Sequence, residues 1–211
     1  ALMFDIASLM MTLPELALRA GGLAVLMVAA CAGDSSARMV GWLSVALLAV
    51  AAWLLCPAWT ASGEAFDGLY RADAFGAFAK VLIYIAAAVS IIIAPRFFAG
   101  GQAIRAEYPI LILFACVGMG LMVSAGDMLT LYVGLELNSL AAYVLASFMR
   151  QDGRSAEAGL KYFVLGALAS GILLYGISLL YGFTGSTSYA GISTALSDGL
   201  SKGELFGLVF V

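Results

Sequence analysis

The chain of 211 residues has no histidine and only three cysteines, which restricts the chemistry it can perform. Histidine is the usual ligand of zinc and haem iron, and iron–sulfur clusters need grouped cysteine thiolates. Cys31, Cys56 and Cys116 lie far apart, within or at the ends of apolar runs, without a C-x-x-C spacing. We therefore expect them to be packing residues, and we expect no metal or redox cofactor in this chain.

Charged residues are also scarce, at 11% of the chain against 64% hydrophobic residues, and the mean hydropathy is +1.05. A soluble domain of this length could not bury so many apolar side chains in one core. The net charge of -3 includes no run of basic residues, so nucleic-acid binding has no electrostatic basis. The composition predicts an all-α polytopic membrane protein whose partners are the lipid bilayer and the apolar surfaces of other proteins.

Six apolar runs approach the ~20 residues that a helix needs to cross a bilayer. They lie at about 13–32, 39–57, 73–94, 108–125, 128–149 and 156–182. A seventh run, 205–211, is too short to span, so we expect the chain to be the first part of a longer protein. Asp73 and Asp127 occupy expected N-cap positions, and Pro57 and Pro95 are expected stop signals.

The charges between these runs predict an orientation. Segments after the first, third and fifth predicted helices carry five arginines, namely Arg38, Arg96, Arg105, Arg150 and Arg154. Segments on the opposite side carry Arg71 and Lys202 beside Glu64, Asp67, Asp198 and Glu204. The positive-inside rule therefore places the N-terminus outside. The first run has no basic stretch before it and starts with Pro14-Glu15, so we interpret it as a retained span rather than a signal peptide.

Glu136 is the carboxylate that lies deepest in an apolar run, residues 129–148. A charge at that depth costs a few kcal/mol and marks a candidate functional site. Helical spacing puts five polar residues on one face, which we call the polar stripe: Tyr132, Glu136, Ser139, Tyr143 and Ser147. The stripe should face protein or water. Glu136 is then either a structural residue that fastens helices together or a group that carries protons.

Two lysines also lie within the predicted spans. Lys80 and Lys161 are near helix ends, where a lysine can extend its ammonium group to the membrane surface, and Glu157 can pair with Lys161. We interpret Lys80 as such a structural residue. Measured along the helix axes from the loop that joins the fifth and sixth predicted helices, Glu136 lies ~21 Å from the loop and Lys161 only ~10 Å. We therefore expect the two residues to belong to one path rather than to form an ion pair.

Two small-residue patterns lie on the sixth predicted helix. Gly166-x-x-x-Ser170 and Ala167-x-x-x-Gly171 would each let a neighbouring helix approach closely.

Three motifs carry a resemblance to a known family. Leu-Tyr-Val-Gly-Leu-Glu136-Leu-Asn-Ser, then Gly-Leu-Lys161-Tyr-Phe-Val-Leu-Gly166 and Tyr181-Gly-Phe-Thr-Gly185, resemble the subunit N family of bacterial NADH-quinone oxidoreductase, respiratory complex I. The resemblance is strong over roughly residues 105–190. The first three helices fit through their order and through the stretch Arg71-Ala-Asp-Ala-Phe-Gly76.

The resemblance implies an antiporter-like subunit of the membrane arm, built from inverted repeats around a chain of buried charges. Residues 1–107 would form an N-terminal three-helix segment, and 108–211 the first part of the proton-translocating repeat. Glu136 would be the family's fifth-helix glutamate, whose lysine partner on the seventh helix lies beyond Val211. Lys161 matches the family's sixth-helix lysine, and the polar stripe would line the path.

The resemblance also implies a place in a larger enzyme, the proton-translocating NADH:quinone oxidoreductase of the bacterial inner membrane. This chain would perform no redox chemistry. FMN, iron–sulfur clusters and quinone would be held by partner subunits, and its neighbours would be antiporter-like and small membrane subunits. Charges rearranged by quinone reduction would change the protonation of Glu136 and its partner, because a buried acid responds to nearby charge.

Two other interpretations remain open. A cation/proton antiporter subunit of a related secondary transporter would share inverted repeats and midplane charges. A scaffold or assembly subunit would not need a buried glutamate on a polar stripe. Copurification with an NADH-oxidising assembly would favour a complex I subunit over the secondary antiporter. Normal pumping after removal of the Glu136 charge would favour the scaffold.

Overall fold

The computed structural model describes residues 6–33, 36–59, 62–98, 105–197 and 201–211. Within these ranges the chain is almost entirely helical, with one short hairpin. In chain order the elements are α1 Ile6–Met11, α2 Leu13–Ala32, α3 Ala37–Leu54, a 3-10 turn Cys56–Trp59, β1 Gly63–Ala65, β2 Tyr70–Ala72, α4 Ala74–Phe98, α5 Glu107–Val123, α6 Met128–Ala146, α7 Gly153–Thr184, α8 Tyr189–Ser197 and α9 Lys202–Phe210.

The six predicted spans correspond to α2 through α7. Five of these helices are long and apolar enough to cross a membrane, and α5, at 17 residues, is a shorter apolar helix. The polytopic all-α prediction is therefore confirmed. Two predicted caps are also present, since the Asp127 side chain accepts a hydrogen bond from the Thr130 amide at 2.9 Å and Asp73 from the Gly76 amide at 2.6 Å.

Pro95 does not end α4, contrary to the sequence-based expectation. The helix continues to Phe98. Phe98 is buried, and its ring packs 5.5 Å from the ring of Tyr108 and 5.8 Å from that of Phe148, measured between centroids. These aromatic contacts hold the last turn of α4, so the cost of proline so close to a helix end is outweighed.

The helix α5 lies at the centre of the bundle, packed against α2, α3, α4 and α6. Its buried residues Leu113, Cys116 and Val117 join Leu18 of α2 and Leu48 of α3 in the main core. Apolar residues occur on every side of α5 because neighbouring helices cover it on every side. By contrast, α7 packs on α6, α8 and α9 within the described part of the chain and leaves much of its surface exposed.

A β-hairpin between α3 and α4 was not predicted. Its strands pair antiparallel, with Glu64 opposite Arg71. Backbone hydrogen bonds join it to the α5–α6 loop, from Arg71 N to Ser124 O at 2.8 Å and from Gly126 N to Leu69 O at 2.9 Å. A side chain at Gly126 would lie 1.8 Å from the Gly68 carbonyl oxygen, so only glycine fits there. The hairpin closes one end of the bundle, which we call the hairpin side.

The cysteine prediction is only partly correct. Cys116 is buried in the core, whereas Cys31 and Cys56 are exposed on the surface of this chain. Cys31 lies in the last turn of α2 and Cys56 in the short turn after α3, where neighbouring helices no longer cover the side chains. Neither is a packing residue among the described elements.

Candidate functional site

The polar stripe places Glu136 on α6, opposite α7. The Glu136 carboxylate accepts a hydrogen bond from the hydroxyl of Ser170, which is buried on α7. The Tyr132 hydroxyl lies 3.0 Å from the same Ser170 oxygen. A serine hydroxyl has one proton to donate, so if Ser170 donates to Glu136, Tyr132 must donate to Ser170. The three groups therefore form a directed chain of hydrogen bonds between two membrane helices.

Tyr143 and Ser147 of the polar stripe also face α7. The ring of Tyr143 packs edge-on against that of Tyr162, with centroids 4.8 Å apart. A side chain at Gly166 would meet the Tyr143 hydroxyl at 2.1 Å, and one at Gly159 would meet Ser147 at 2.4 Å. Glycines on α7 thus make room for Tyr143 and Ser147.

The stripe was expected to face protein or water, and these contacts confirm that Tyr132, Glu136, Tyr143 and Ser147 face protein. Ser139 is half-buried.

Of the two small-residue patterns on α7, only the first lies against α6. Gly166 and Ser170 contact the polar stripe, but no described atom outside its own helix turn and chain neighbours lies within 4 Å of a side chain built at Gly171. Ala167 is exposed. The sequence identified Ser170 as a small residue and missed its role as a hydrogen-bond donor to Glu136. The signal available was its hydroxyl, the one polar group in that pattern.

The structure does not bring Lys161 to Glu136. Lys161 lies near the start of α7 with its side chain 69% exposed, and its ammonium group is 2.5 Å from the Glu157 carboxylate. The predicted pairing of these two residues one turn apart is therefore confirmed. Exposed pairs of this kind contribute about 0–1 kcal/mol, so Lys161 is not held in place by the pair alone.

Lys80 requires a correction. We expected its ammonium group to extend to the membrane surface, but its side chain is only 3% exposed within the bundle. Lys80 contacts the buried carboxylate of Glu15 on α2 and donates a hydrogen bond to the Tyr70 hydroxyl at 2.9 Å. The reason is its position on the face of α4 that also buries Ala77 and Tyr84 against the core. The sequence missed Glu15 as a partner, although it is the one acid within the first apolar run.

Comparison with known proteins defines the class. Residues 125–211, which include Glu136, Lys161 and Ser170, match the family described as "NADH:quinone oxidoreductase/Mrp antiporter, TM". Respiratory complex I from Thermus thermophilus with bound Aureothin contains a similar chain, with 29% identity and a TM-score of 0.71 over 93% of this chain and 43% of that one. The Mrp complex from Dietzia sp. shares the fold, with 21% identity and a TM-score of 0.69 over 95% of this chain and 40% of that one. The fold is that of an antiporter-like membrane subunit.

Curated relatives narrow the class. NADH-quinone oxidoreductase subunit N from Rhizorhabdus wittichii is 66% identical over 206 residues, which is 97% of this chain and 43% of that protein. The chain therefore belongs to the NADH-quinone oxidoreductase subunit N family, and it spans less than half the length of the curated relatives it matches.

Proposed function

We propose that the chain is a proton-translocating membrane-arm subunit of NADH-quinone oxidoreductase and that Glu136 carries the proton. The observation that supports this most is the hydrogen-bonded chain from Tyr132 through Ser170 to Glu136, between helices that cross the membrane. Intramembrane acids are expensive and are usually retained for function. A scaffold would have no need for a carboxylate at that depth.

The proposed mechanism moves protons by changing the charge near Glu136. Ionised Glu136 accepts from Ser170, and protonated Glu136 could donate to it instead, because each hydroxyl can both donate and accept. A cation that approaches favours the ionised form, and one that withdraws favours the protonated form. Energy from quinone reduction would arrive as such rearranged charges, with no electron passing through this chain.

The inner part of the path would continue along the polar stripe to Lys161. Tyr143 and Ser147 lie on the stripe between Glu136 and the end of α6, and Tyr143 packs against Tyr162, the residue after Lys161. Lys161 is proposed to exchange protons with water at the end of the bundle opposite the hairpin, because its side chain is exposed and paired with Glu157.

In the assembly we propose, FMN, iron–sulfur clusters and quinone belong to partner subunits, and antiporter-like and small membrane subunits adjoin this chain. The chain would lie in the bacterial inner membrane with its N-terminus on the periplasmic side. This orientation is supported by the difference in charge between the two ends of the bundle. Arg38, Arg96, Arg150 and Arg154 lie at the end opposite the hairpin.

Replacing Glu136 with glutamine in the intact complex tests the proposal, since it removes the ionisable group and keeps the shape. We expect the number of protons translocated per NADH oxidised to fall several-fold, measured in inverted membrane vesicles. Glu107→Gln is the matched control, because Glu107 is exposed at the start of α5 and pairs with Arg150 at 3.6 Å. An undiminished ratio in the Glu136→Gln complex would refute the role of Glu136.

A cation/proton antiporter subunit is the second candidate function. It is supported by the fold that the chain shares with the Mrp complex from Dietzia sp.. Purification of the full-length chain from its membrane separates the two. An associated assembly that oxidises NADH and contains flavin supports the first candidate. A purely membrane-embedded assembly that exchanges cations for protons supports the second.

A further inference from the structure

A second buried charged cluster lies outside the polar stripe. It consists of Glu15 on α2, Lys80 on α4 and Tyr70 on β2. The side chains of Glu15 and Lys80 are 1% and 3% exposed, and both belong to helices that cross the membrane. Removing two charges from water is costly, and a buried ion pair is often no more stable than an apolar pair of similar volume. The cluster therefore calls for an explanation beyond stability.

The cluster opens toward the hairpin side. A cavity of about 560 Å³ is lined by Tyr70, Lys80, Asp73 and Ser124, together with residues of α1, α2 and the turn after α3. Tyr70 accepts a hydrogen bond from the Lys80 ammonium group and donates a long one, 3.5 Å, to the Met11 carbonyl, which also lines the cavity. A route of polar atoms thus leads from Lys80 to the cavity.

The cluster also contains polar atoms that the described residues do not satisfy. Glu15 Oε2 and the Tyr84 hydroxyl are buried, and neither has a hydrogen-bond partner in the described part of the chain. Both residues border α5 at Gly120, where an added side chain would lie 3.7 Å from Glu15 Oε1 and 3.9 Å from the Tyr84 hydroxyl. A purely structural ion pair is expected to satisfy both carboxylate oxygens, and an unsatisfied buried oxygen is costly, so this pair is not arranged for stability alone.

Glu15 and Glu136 lie at nearly the same depth, with α5 and the width of α6 between them, because Glu136 is on the face of α6 that contacts α7. Gly118 of α5 contacts α6 at Gly134 and Asn138, two residues before and two residues after Glu136, and Gly120 faces Glu15. Two residues of helix correspond to only ~3 Å along the axis. Two interaxial spacings correspond to roughly 15–20 Å. Buried charges at that separation in an apolar bundle are only weakly screened by salt, so each site still feels the charge of the other.

We propose that Glu15, Lys80 and Tyr70 form a second proton-binding site, which opens to the hairpin side and is electrostatically coupled to Glu136. On release, the Tyr70 hydroxyl turns from the Met11 carbonyl to water in the cavity. One proton then passes from Lys80 Nζ to the Tyr70 oxygen while the hydroxyl proton of Tyr70 passes to that water. Lys80 becomes a neutral amine, Tyr70 is unchanged, and Glu15 stays a carboxylate. Uptake reverses these transfers. Negative charge on Glu136 holds the proton on Lys80, and protonation of Glu136 loosens it.

The neighbouring groups suit this relay. The titratable residues around the pair are Tyr70, Asp73 and Tyr84, with Cys56 at the cavity wall and Cys116 on α5. Burial, and secondly the charge of Glu15, raises the pKa of Tyr70. Tyr70 therefore remains a neutral hydroxyl at physiological pH, and only a neutral hydroxyl can accept from Lys80 and donate to water at once.

The test uses the intact complex in proteoliposomes, with the pH varied only on the hairpin side while proton translocation and NADH oxidation are followed. The double variant Glu15→Gln/Lys80→Met removes both charges without leaving one unpaired. In a plot of translocation rate against pH, we expect the double variant to lack one of the steps that wild type shows. At the acidic end of the plot, its translocation rate should differ several-fold from that of wild type. The matched control is Glu64→Gln/Arg71→Met, which removes an exposed ion pair of the same hairpin.

A double variant that assembles and keeps the wild-type pH profile would show that the pair is only a structural fastening. If the double variant does not assemble, Tyr70→Phe decides, because it deletes only the relay hydroxyl. Loss of the pH-dependent step in Tyr70→Phe supports the site, and an unchanged profile overturns it. The inference rests on the proposed function only for the coupling to Glu136. A lowered ratio in Glu136→Gln with unchanged profiles in these variants would refute this site alone.

Discussion

At the scale of single residues, the position of Ser170 decides what Glu136 can do. A carboxylate inside a membrane needs donors, and the one donor that reaches it from the described residues is a serine hydroxyl on the next helix. Because Tyr132 contacts the same hydroxyl, the protonation state of Glu136 is tied to the direction of two hydrogen bonds. Ser170 thus acts as a positioning residue between two members of the polar stripe.

Replacing Ser170 with alanine should weaken translocation. The change removes a hydrogen bond to a charged group, worth roughly 1.5–3 kcal/mol, and leaves Tyr132 without its acceptor. We expect a several-fold lower initial rate of proton translocation in membrane vesicles at a matched rate of NADH oxidation. Ser170→Thr keeps the hydroxyl and should retain most of the rate. Equal rates in both variants and wild type would show that the hydroxyl has no part in the path.

Among single residues, the buried position of Lys80 could not be predicted from the sequence. Whether a lysine near a helix end points to lipid or to the core depends on its partner, and the partner of Lys80 is 65 positions away in the chain. No local pattern on α4 reveals it, since apolar side chains occur all around that helix. The spacing of the polar stripe, by contrast, is a local property, and it predicted correctly which side of α6 faces protein.

At the scale of elements, the contact between α5 and α6 depends on two glycines. A side chain at Gly118 would lie 2.5 Å from the backbone nitrogen of Asn138, and one at Gly134 would lie 2.8 Å from the Gly118 carbonyl oxygen. Both obstacles are backbone atoms, which cannot rotate away. This close approach holds α6, and with it Glu136, at a fixed height relative to the central helix.

Gly118→Ala should therefore separate α5 from α6. Overpacking of this kind costs about 1–3 kcal/mol, and more where backbone must move. We expect less assembled complex and a lower temperature of thermal inactivation, both measured on purified membranes. Gly41→Ala on α3 is the matched control, because its added side chain would meet Ile91 at an ordinary 3.7 Å. Equal losses in the two variants would contradict the role of this glycine contact.

The elements differ in how well sequence predicts them. Spans of about 20 apolar residues are visible locally, because the bilayer sets their length, and all six were located. The hairpin was missed because strands of three residues have little signal of their own. Its stability comes from backbone hydrogen bonds to the loop at Ser124 and Gly126, more than fifty residues later in the chain.

At the scale of the whole molecule, the two ends of the bundle have different roles. The hairpin side carries the cavity at Lys80 and the hydrogen-bonded loops. The opposite end carries most of the arginines and the exposed pair of Glu157 and Lys161. The proposed proton path runs between these ends, so the orientation in the membrane fixes the direction of translocation.

Labelling with a membrane-impermeant maleimide tests that orientation. The test variants are Asp67→Cys, at the tip of the hairpin, and Arg154→Cys, at the start of α7, each in a chain with Cys31 and Cys56 replaced by alanine. Both positions are exposed. With the positive end inside, intact spheroplasts should label the Asp67→Cys chain, and the Arg154→Cys chain should react only after permeabilisation. The reverse pattern would invert the proposed direction.

The central claim is that Glu136 changes its protonation during turnover, and infrared difference spectroscopy of the purified complex measures this most directly. Spectra are recorded during NADH-driven turnover in H2O and in D2O, for wild type, Glu136→Gln and the control Glu107→Gln. We predict a carboxylic-acid carbonyl band that shifts in D2O, is absent from Glu136→Gln and is retained in Glu107→Gln. Identical turnover spectra from wild type and Glu136→Gln would contradict the account.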